Sequence, residues 1–325
     1  VKAIVYTQYG SPDVLQFKNI TTPMPGEHEV LVKIYAASVN AGDWHLLRGE
    51  PFAVRFVTGL FTPKNPLLGA DIAGRVEAVG SGVTQFQPGD AVFGDVSSCG
   101  FGGFAEYVSI PQNFLAHKPT NLTFEEAAAV PAAAMTALQA LRDKGQLQPG
   151  QKILINGASG GVGTFAVQIA KAFGAEVTAV CSTAKVDLVR SLGADHVIDY
   201  TKEDFTSNGQ QYDLILAVNG NRSIFEYRRA LTPKGVYVMV GGDGKQLFQA
   251  MLLGPLLSLT GSKKTGNLLM LPTQNDLLVL KDLIEAGKIT PVIDRRYSLR
   301  EVPDAIRYLE TNRAKGKVVI SVANN

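Results

Sequence analysis

The stretch KILINGASGGVGTFAVQIAKAFG, residues 152–174, constrains the fold more than any other part of this chain. KILIN is an apolar run of strand length, GASGGVG is a glycine-rich turn, and TFAVQIAKAFG has a helical pattern. A phosphate cradle needs those parts in that order: a tight turn opening onto a helix whose first amides and positive end face an anion. Gly160 leaves room for a pyrophosphate, and Gly163 lets the helix pack closely against the strand. Ala158 stands where the usual G-x-G-x-x-G has its first glycine, so a strict match fails. The alternative, an ordinary glycine turn of an α/β protein, is disfavoured by the strand before it and the helix after it.

From about residue 150 the chain alternates strand-like and helix-like runs: AEVTAV, KVDLVRSLG, HVIDY, YDLILAV, NRSIFEYRRAL and GVYVMVGG. Such alternation implies right-handed crossovers and a parallel sheet. The earlier part has a different texture. KAIVYT, EVLVKIYAAS, AGRVEAVG, DAVFGD and AEYVSI are short strand patterns bounded by turn residues, and no long helical period precedes EEAAAVPAAAMTALQAL. The tail, ending in GKVVISV, reverts to a helix and strands and is expected to complete the first domain. At 325 residues the chain is long for one core. The expected fold class is α/β: a Rossmann doubly wound parallel sheet over 123–264, plus a mostly-β domain built from 1–122 and 265–325.

The strand AEVTAV runs out into CSTAK, where a fold that grips NAD usually carries an acid for the ribose hydroxyl. Ser182 lies 22 residues past Gly160, close to that position, and no acid stands there. Hydroxyls and Lys185 favour instead the extra phosphate of NADP. A charge pair about 4 Å apart near a surface contributes on the order of 1 to 4 kcal/mol, enough for a tenfold preference or more. Tyr200, ending the next strand, is placed to stack or hydrogen-bond beside the same phosphate. The bland alternatives are a solvated lysine at a helix start and a half-buried strand tyrosine. The missing acid decides for NADPH.

Charge excludes other classes. With 31 basic and 29 acidic residues the net charge is +2, which attracts neither nucleic acid nor anionic membrane. Two cysteines, Cys99 and Cys181, form no CxxC pair, so a disulfide framework is not expected and a reducing cytoplasm is. The first residues, VKAIVYTQYG, read as a strand without a signal-peptide core. The most apolar window, AMLLGPLLSL at 250–259, is too short for a bilayer and is broken by Gly254 and Pro255, so a buried or subunit-facing segment is expected.

With these residues in hand, the chain resembles the medium-chain dehydrogenase/reductase superfamily, in its zinc-free quinone oxidoreductase branch. The likeness is carried by GSPDVLQF, EVLVKIYAASVNAGDWHLLRG, PLLGADIAGRVEAVGSGVTQFQPGDAVFG, GGFAEYV, AAAVPAAAMTALQAL, PGQKILINGASGGVGTFAVQIAKAFGAEV, LGADHVIDY and GKVVISV, nearly end to end. The resemblance implies a GroES-like β-rich domain, a Rossmann domain, bound NADPH and a homodimer. It implies pyrophosphate contacts from Ser159, Gly160, Gly161 and Val162, and 2′-phosphate contacts from Ser182, Lys185 and Tyr200. Thr136 is implied at the nicotinamide end, with Gly220 and Gly241 flanking the cofactor. In the family, the SVNAGDWHLLRG loop lines the active cleft, which points to Asn40, Asp43 and His45.

The alcohol-dehydrogenase branch polarises its substrate with zinc held by cysteine and histidine. Here LGADIAG puts Ala70 where those enzymes have histidine, and Asn40 stands near their cysteine. His28, His45, His117 and His196 show no i, i+4 spacing. No metal is expected. Without a Lewis acid, a simple ketone leaves a localised alkoxide, whereas a quinone or α,β-unsaturated carbonyl spreads the developing charge. Those are the expected substrates. Some relatives deliver the proton from a tyrosine, but no tyrosine stands between Tyr35 and Tyr107. His45 or water remains as donor, His45 reading equally as a surface residue beside Trp44 and Asp43 as a turn or cap residue. Two rivals stay open, a zinc-free carbonyl reductase and a non-enzymatic NADPH-binding protein. The insertion EPFAVRFVTGLFTPKN (50–65) reads as a lid or as ordinary packing.

Overall fold

The two textures of the sequence fold into two compact units: residues 1–133, 271–286 and 291–325 form one, and residues 134–270 with 287–290 the other. The computed structural model describes residues 1–220, 222–242, 254 and 262–322. The apolar window 250–259 lies outside the described residues, apart from Gly254.

The first unit begins with the hairpin β1 (Lys2–Val5) and β2 (Gln16–Asn19). It continues with β3 (Glu29–Val39), β4 (Asp71–Val79), β5 (Ala91–Asp95), β6 (Tyr107–Pro111) and β7 (Leu115–His117). The second unit holds β8 (Lys152–Asn156), β9 (Glu176–Cys181), β10 (His196–Asp199), β11 (Tyr212–Ala217), β12 (Leu231–Met239) and β13 (Lys264–Asn267). The chain then returns to the first unit with β14 (Ile293–Ser298) and β15 (Lys317–Ser321).

In the first unit the sheet order is β14-β15-β3-β4-β5-β7, with β6 also pairing β3. The neighbours are antiparallel except β14 and β15, which are parallel. Glu29–Val39 carries a β-branched and aromatic run, and its Val30, Val32 and Ile34 fill a core with Ile72, Val76, Val92 and Ile110. Antiparallel pairing has a consequence for function. It brings the end of β3, the start of β4, the end of β5 and the start of β15 to one end of the sheet, with Ser38 opposite Asp71, Asp71 opposite Asp95, and Val318 opposite Val39.

In the second unit all pairings among the described residues are parallel and the order is β10-β9-β8-β11-β12-β13. Counted within the unit, this is the 3-2-1-4-5-6 order of the doubly wound dinucleotide folds. The strands are nearly continuous apolar runs, as a sheet covered on both faces requires, and Ile153, Leu154 and Ile155 of β8 are wholly buried. The order reverses between β8 and β11. Ligands in such sheets bind beyond the carboxyl ends of the strands at that switch.

The 50–65 insertion contains a 3-10 turn at Phe52–Val54 and a helical turn at Arg55–Thr58. Phe52, Phe56, Leu60 and Phe61 are exposed, while Arg55 holds the segment from below through the Gly49 and Arg48 carbonyls.

Candidate active site

The carboxyl end of β8 turns sharply at Gly157, whose φ of +87° lies in the left-handed region that favours glycine. The residue with this requirement stands one position before Ala158. A Cβ on Gly157 would come within 2.9 Å of the Asn219 amide nitrogen, so the segment that follows β11 also closes in on the turn. Gly163 has a different duty. A Cβ on it would lie 2.1 Å from the Gly157 carbonyl oxygen, so only glycine lets the helix Gly161–Ala172 seat against the turn. Gly160, the residue before that helix, is open: among the described residues an added Cβ meets only Gly157 O, at 3.7 Å. Its backbone is extended (φ −85°, ψ −178°), a conformation any residue adopts. Open space before a helix N-terminus suits a phosphate group.

Ser159 is buried beside this opening, and Gly161 and Val162 form the first helical positions, half-buried. Gly220 and Gly241 meet beyond the ends of β11 and β12, where the Gly220 amide donates to Gly241 O at 3.1 Å. Ser182 opens the short turn Thr183–Lys185 after β9, and the Tyr200 amide, just past β10, donates to Cys181 O at 3.1 Å. The fold therefore brings Ser182, Lys185 and Tyr200 to one corner of the same sheet edge. Thr136 lies half-buried on the helix Pro131–Gln139.

That corner holds one residue the sequence reading passed over. Asp199, the last residue of β10, accepts from Thr183 Oγ1 at 2.5 Å and from Thr201 Oγ1 at 2.7 Å. The threonine hydroxyls and the nearby Lys202 ammonium hold its carboxyl at about 2, well below the ordinary range. An acid is thus present beside the turn that follows β9, one strand over from where the motif puts it. Its lone pairs are taken up by the loop itself.

The first unit contains a site of another kind, at the end of the sheet where four strand termini meet. Lys317 and Asp71 form an ion pair at 3.1 Å with side chains only 3% and 0% exposed. Asp71 Oδ2 also accepts from Ser38 Oγ at 2.5 Å and from Asn40 Nδ2 at 2.9 Å, and Oδ1 accepts from the Ala132 amide at 2.7 Å. The Lys317 ammonium donates to Asn40 Oδ1 at 2.5 Å and to Val39 O at 3.4 Å. Asp95, the strand neighbour of Asp71, is fully buried; its Oδ1 accepts from the Ser97 amide while Oδ2 has no hydrogen-bond partner among the described residues. Burial, with the Asp71 charge next, pushes Asp95 up to about 7.

Of the three residues singled out in the loop, Asn40 belongs to this cluster. Asp43 is turned inward: its carboxylate accepts from the Asn40 amide at 2.7 Å and the Gly69 amide at 2.9 Å, joining the helix Ala41–Arg48 to the loop before β4. Burial raises it to about 7 against those two donors. His45 stacks on Trp44, with ring centroids 3.7 Å apart, and its Nδ1 donates to Glu50 O at 2.8 Å, which leaves Nε2 as the acceptor of the neutral ring. It has no contact with the buried cluster. Asp71, Lys317, Ser38 and Asp95 stand in or beside the stretches that carry the family resemblance, but sequence alone assigns them no role. Their sequence signal is a single polar residue abutting an apolar strand, as in KVVIS and DIAGRV.

Residues 26–120 match the alcohol dehydrogenase GroES-like domain and residues 192–320 match the family described as zinc-binding dehydrogenase. The chain is 38% identical to a 2-methylene-furan-3-one reductase of Solanum lycopersicum, over 98% of this chain and 79% of the relative. It is 36% identical to a chloroplastic NADPH-dependent alkenal/one oxidoreductase of Arabidopsis thaliana, with the same coverages. The solved quinone oxidoreductase of Coxiella burnetii superposes with a TM-score of 0.89 at 30% identity, covering 99% of both chains. The chain belongs to the quinone oxidoreductase branch of the medium-chain dehydrogenase/reductase superfamily. It is an NAD(P)H-dependent oxidoreductase, as its relatives are named.

One family model is described by its zinc, and the donor set here does not fit that ion. The relevant corner offers an amide at Asn40 and a methyl at Ala70, with neither thiolate nor imidazole. Of its two buried carboxylates, Asp71 is already neutralised by the Lys317 ammonium and Asp95 lies beside it. Among the described residues, no group of three or more His, Cys, Asp or Glu side chains is placed to hold a metal. No helix among them is long and apolar enough to cross a membrane.

Proposed function

We propose that this oxidoreductase reduces quinones and α,β-unsaturated carbonyls with NADPH. The observation that carries the reading is the Asn40–Asp71–Lys317 cluster: where a Lewis acid would be needed for a simple ketone, the described residues of this corner supply an amide donor, held by a buried ion pair. Such donors suffice when the acceptor spreads its charge over a conjugated system. The names of the relatives, an alkenal/one oxidoreductase and a 2-methylene-furan-3-one reductase, support the same substrate class.

The cofactor fits the second unit. The open approach at Gly160 and the amides of Ser159, Gly161 and Val162 would take the pyrophosphate, Gly220 and Gly241 flank it, and Thr136 serves the nicotinamide end. Ser182, Lys185 and Tyr200 favour a 2′-phosphate, and Asp199 does not oppose it strongly because Thr183, Thr201 and Lys202 surround its charge. When bound, the reduced dinucleotide supplies a hydride. Asn40 is the group we assign to the substrate; Asp43, fixed between two backbone amides, shapes the loop that carries it, and His45 stands by as a rim residue with Nε2 free to accept.

We further place the enzyme in the cytoplasm as a homodimer. The two free cysteines, and β13 as the last strand of the sheet among the described residues, followed by exposed Leu269, support this. Sedimentation and cell fractionation test those two points. The activity is tested by following NADPH absorbance with a quinone, a conjugated enal and a simple aldehyde, each repeated with NADH. Fast, NADPH-selective turnover of the conjugated acceptors is expected. Equal use of NADH overturns the 2′-phosphate assignment, and NADPH binding without turnover of any acceptor overturns the enzymatic reading.

A further inference from the structure

Asn40 occupies the position before the helix Ala41–Arg48, where an asparagine normally accepts from the backbone of the first turn. Both polar atoms of the side chain reach into the buried cluster, Nδ2 donating to Asp71 and Oδ1 accepting from Lys317. The arrangement permits one orientation only. A flipped amide would set its NH2 against an ammonium and its oxygen against a carboxylate. Asp71 cannot follow such a flip, because Ser38 and the Ala132 amide hold its two oxygens. Nδ2 has two hydrogens and the cluster uses one. The other is left in a fixed direction on a half-buried residue at the surface of the cluster.

We propose that the Lys317–Asp71 ion pair is a positioning device that locks the Asn40 amide, so that its second Nδ2 hydrogen donates to the carbonyl oxygen of the substrate. The inference rests on the substrate class argued above and adds the atom that meets it. In the reaction, a hydride adds to the β-carbon and the C=C electron pair shifts toward the α-carbon and the carbonyl oxygen. The Asn40 N–H stabilises the resulting enolate oxygen, and a proton from water then completes the α-carbon. Lys317 and Asp71 touch neither substrate nor cofactor in this account. They act through Asn40.

Two variants separate positioning from plain structural support. Asn40→Leu removes the donor and leaves the ion pair in place. The double variant Lys317→Met with Asp71→Asn removes both charges together, so no unpaired ion is buried, and frees the amide to turn. In each, kcat for a conjugated enal is expected to fall about 10²-fold, the usual loss for one oxyanion donor, with NADPH affinity within about twofold of the parent. A readout independent of turnover is the infrared carbonyl stretch of an enone bound to the enzyme with oxidised cofactor. The parent shifts this band to lower frequency, and both variants are expected to lose most of the shift. A full shift retained in folded, NADPH-binding variants overturns the proposal, whether or not the parent turns over. An unshifted band in the parent overturns it too. A parent that shifts the band but reduces no acceptor contradicts only the activity.

Discussion

The two candidate sites of this enzyme are built by opposite means. The cradle in the second unit is made of backbone: glycine positions, amides and the start of a helix, at the carboxyl end of a central strand. The cluster in the first unit is made of side chains drawn from four strand termini, with its charges sealed from water. A backbone site is defined by residues that are missing a side chain, and an added one shows its effect at once. A side-chain cluster depends on mutual neutralisation, so the cost of a change depends on what it leaves behind.

The sharpest break in that contrast comes from the ion pair. Lys317→Met alone leaves Asp71 buried without its cation and is expected to destabilise the first unit by about 3–5 kcal/mol, measured by denaturant unfolding. Replacing both partners, as in Lys317→Met with Asp71→Asn, should cost much less. Equal losses from the single and double variants would mean that the pair is not coupled in the way the geometry requires.

Next in size are two glycines of the cradle that the structure separates. Gly160→Val is accommodated by the extended backbone but fills the approach to the helix, so NADPH affinity should fall roughly 100-fold, about 2.7 kcal/mol, with little change in Tm. Gly163→Val meets the Gly157 carbonyl and should lower Tm as well, since overpacking costs about 1–3 kcal/mol. Calorimetry with parallel cofactor titration distinguishes the two. The same behaviour at both positions would contradict the division of labour.

Acidity provides a subtler test of the sealed cluster. Asp95 is raised from its ordinary value to about 7, so the folded chain keeps a proton that the unfolded chain releases near pH 4. Stability from this group is full below the ordinary range and is lost as pH rises through about 7. Asp95→Asn should therefore flatten the decline of stability between about pH 4 and pH 7, and at pH 8 exceed the parent by about 1–3 kcal/mol. A pH profile of Tm reads this directly. The smallest effect belongs to the exposed corner of the cradle. Lys185→Ala should reduce the preference for NADPH over NADH by about five- to tenfold in kcat/KM, a surface-charge contribution of about 1 kcal/mol that shrinks in high salt.

The contrast also explains what was legible in the sequence. Strand, turn and helix around GASGGVG are contiguous, and the 3-2-1-4-5-6 sheet follows from the alternation after residue 150, because local pattern and global fold agree there. Even so, the glycine requirement fell at Gly157 and not at the Ala158 position, since what the turn needs is a left-handed residue, wherever the chain bends. Asp199 was hidden because proximity across parallel strands pairs it with Cys181, 18 residues away in sequence. The cluster was the least legible. Asn40 was visible as a loop residue, but Asp71 and Lys317 reach it only through sheet register, and Lys317 is 277 residues distant. Asp43 and Asn40 share one loop and look alike on paper. Only burial distinguishes them, one facing two backbone amides and the other an ion pair.

The central claim is that this chain stabilises delocalised charge with an amide held by a buried ion pair. The most direct measurement compares kcat/KM with NADPH for a 2-alkenal and for the saturated aldehyde of the same length. A preference for the alkenal of about 100-fold or more is predicted, and its collapse to under about tenfold in Asn40→Leu. Comparable rates on the two aldehydes in the parent enzyme would contradict the account.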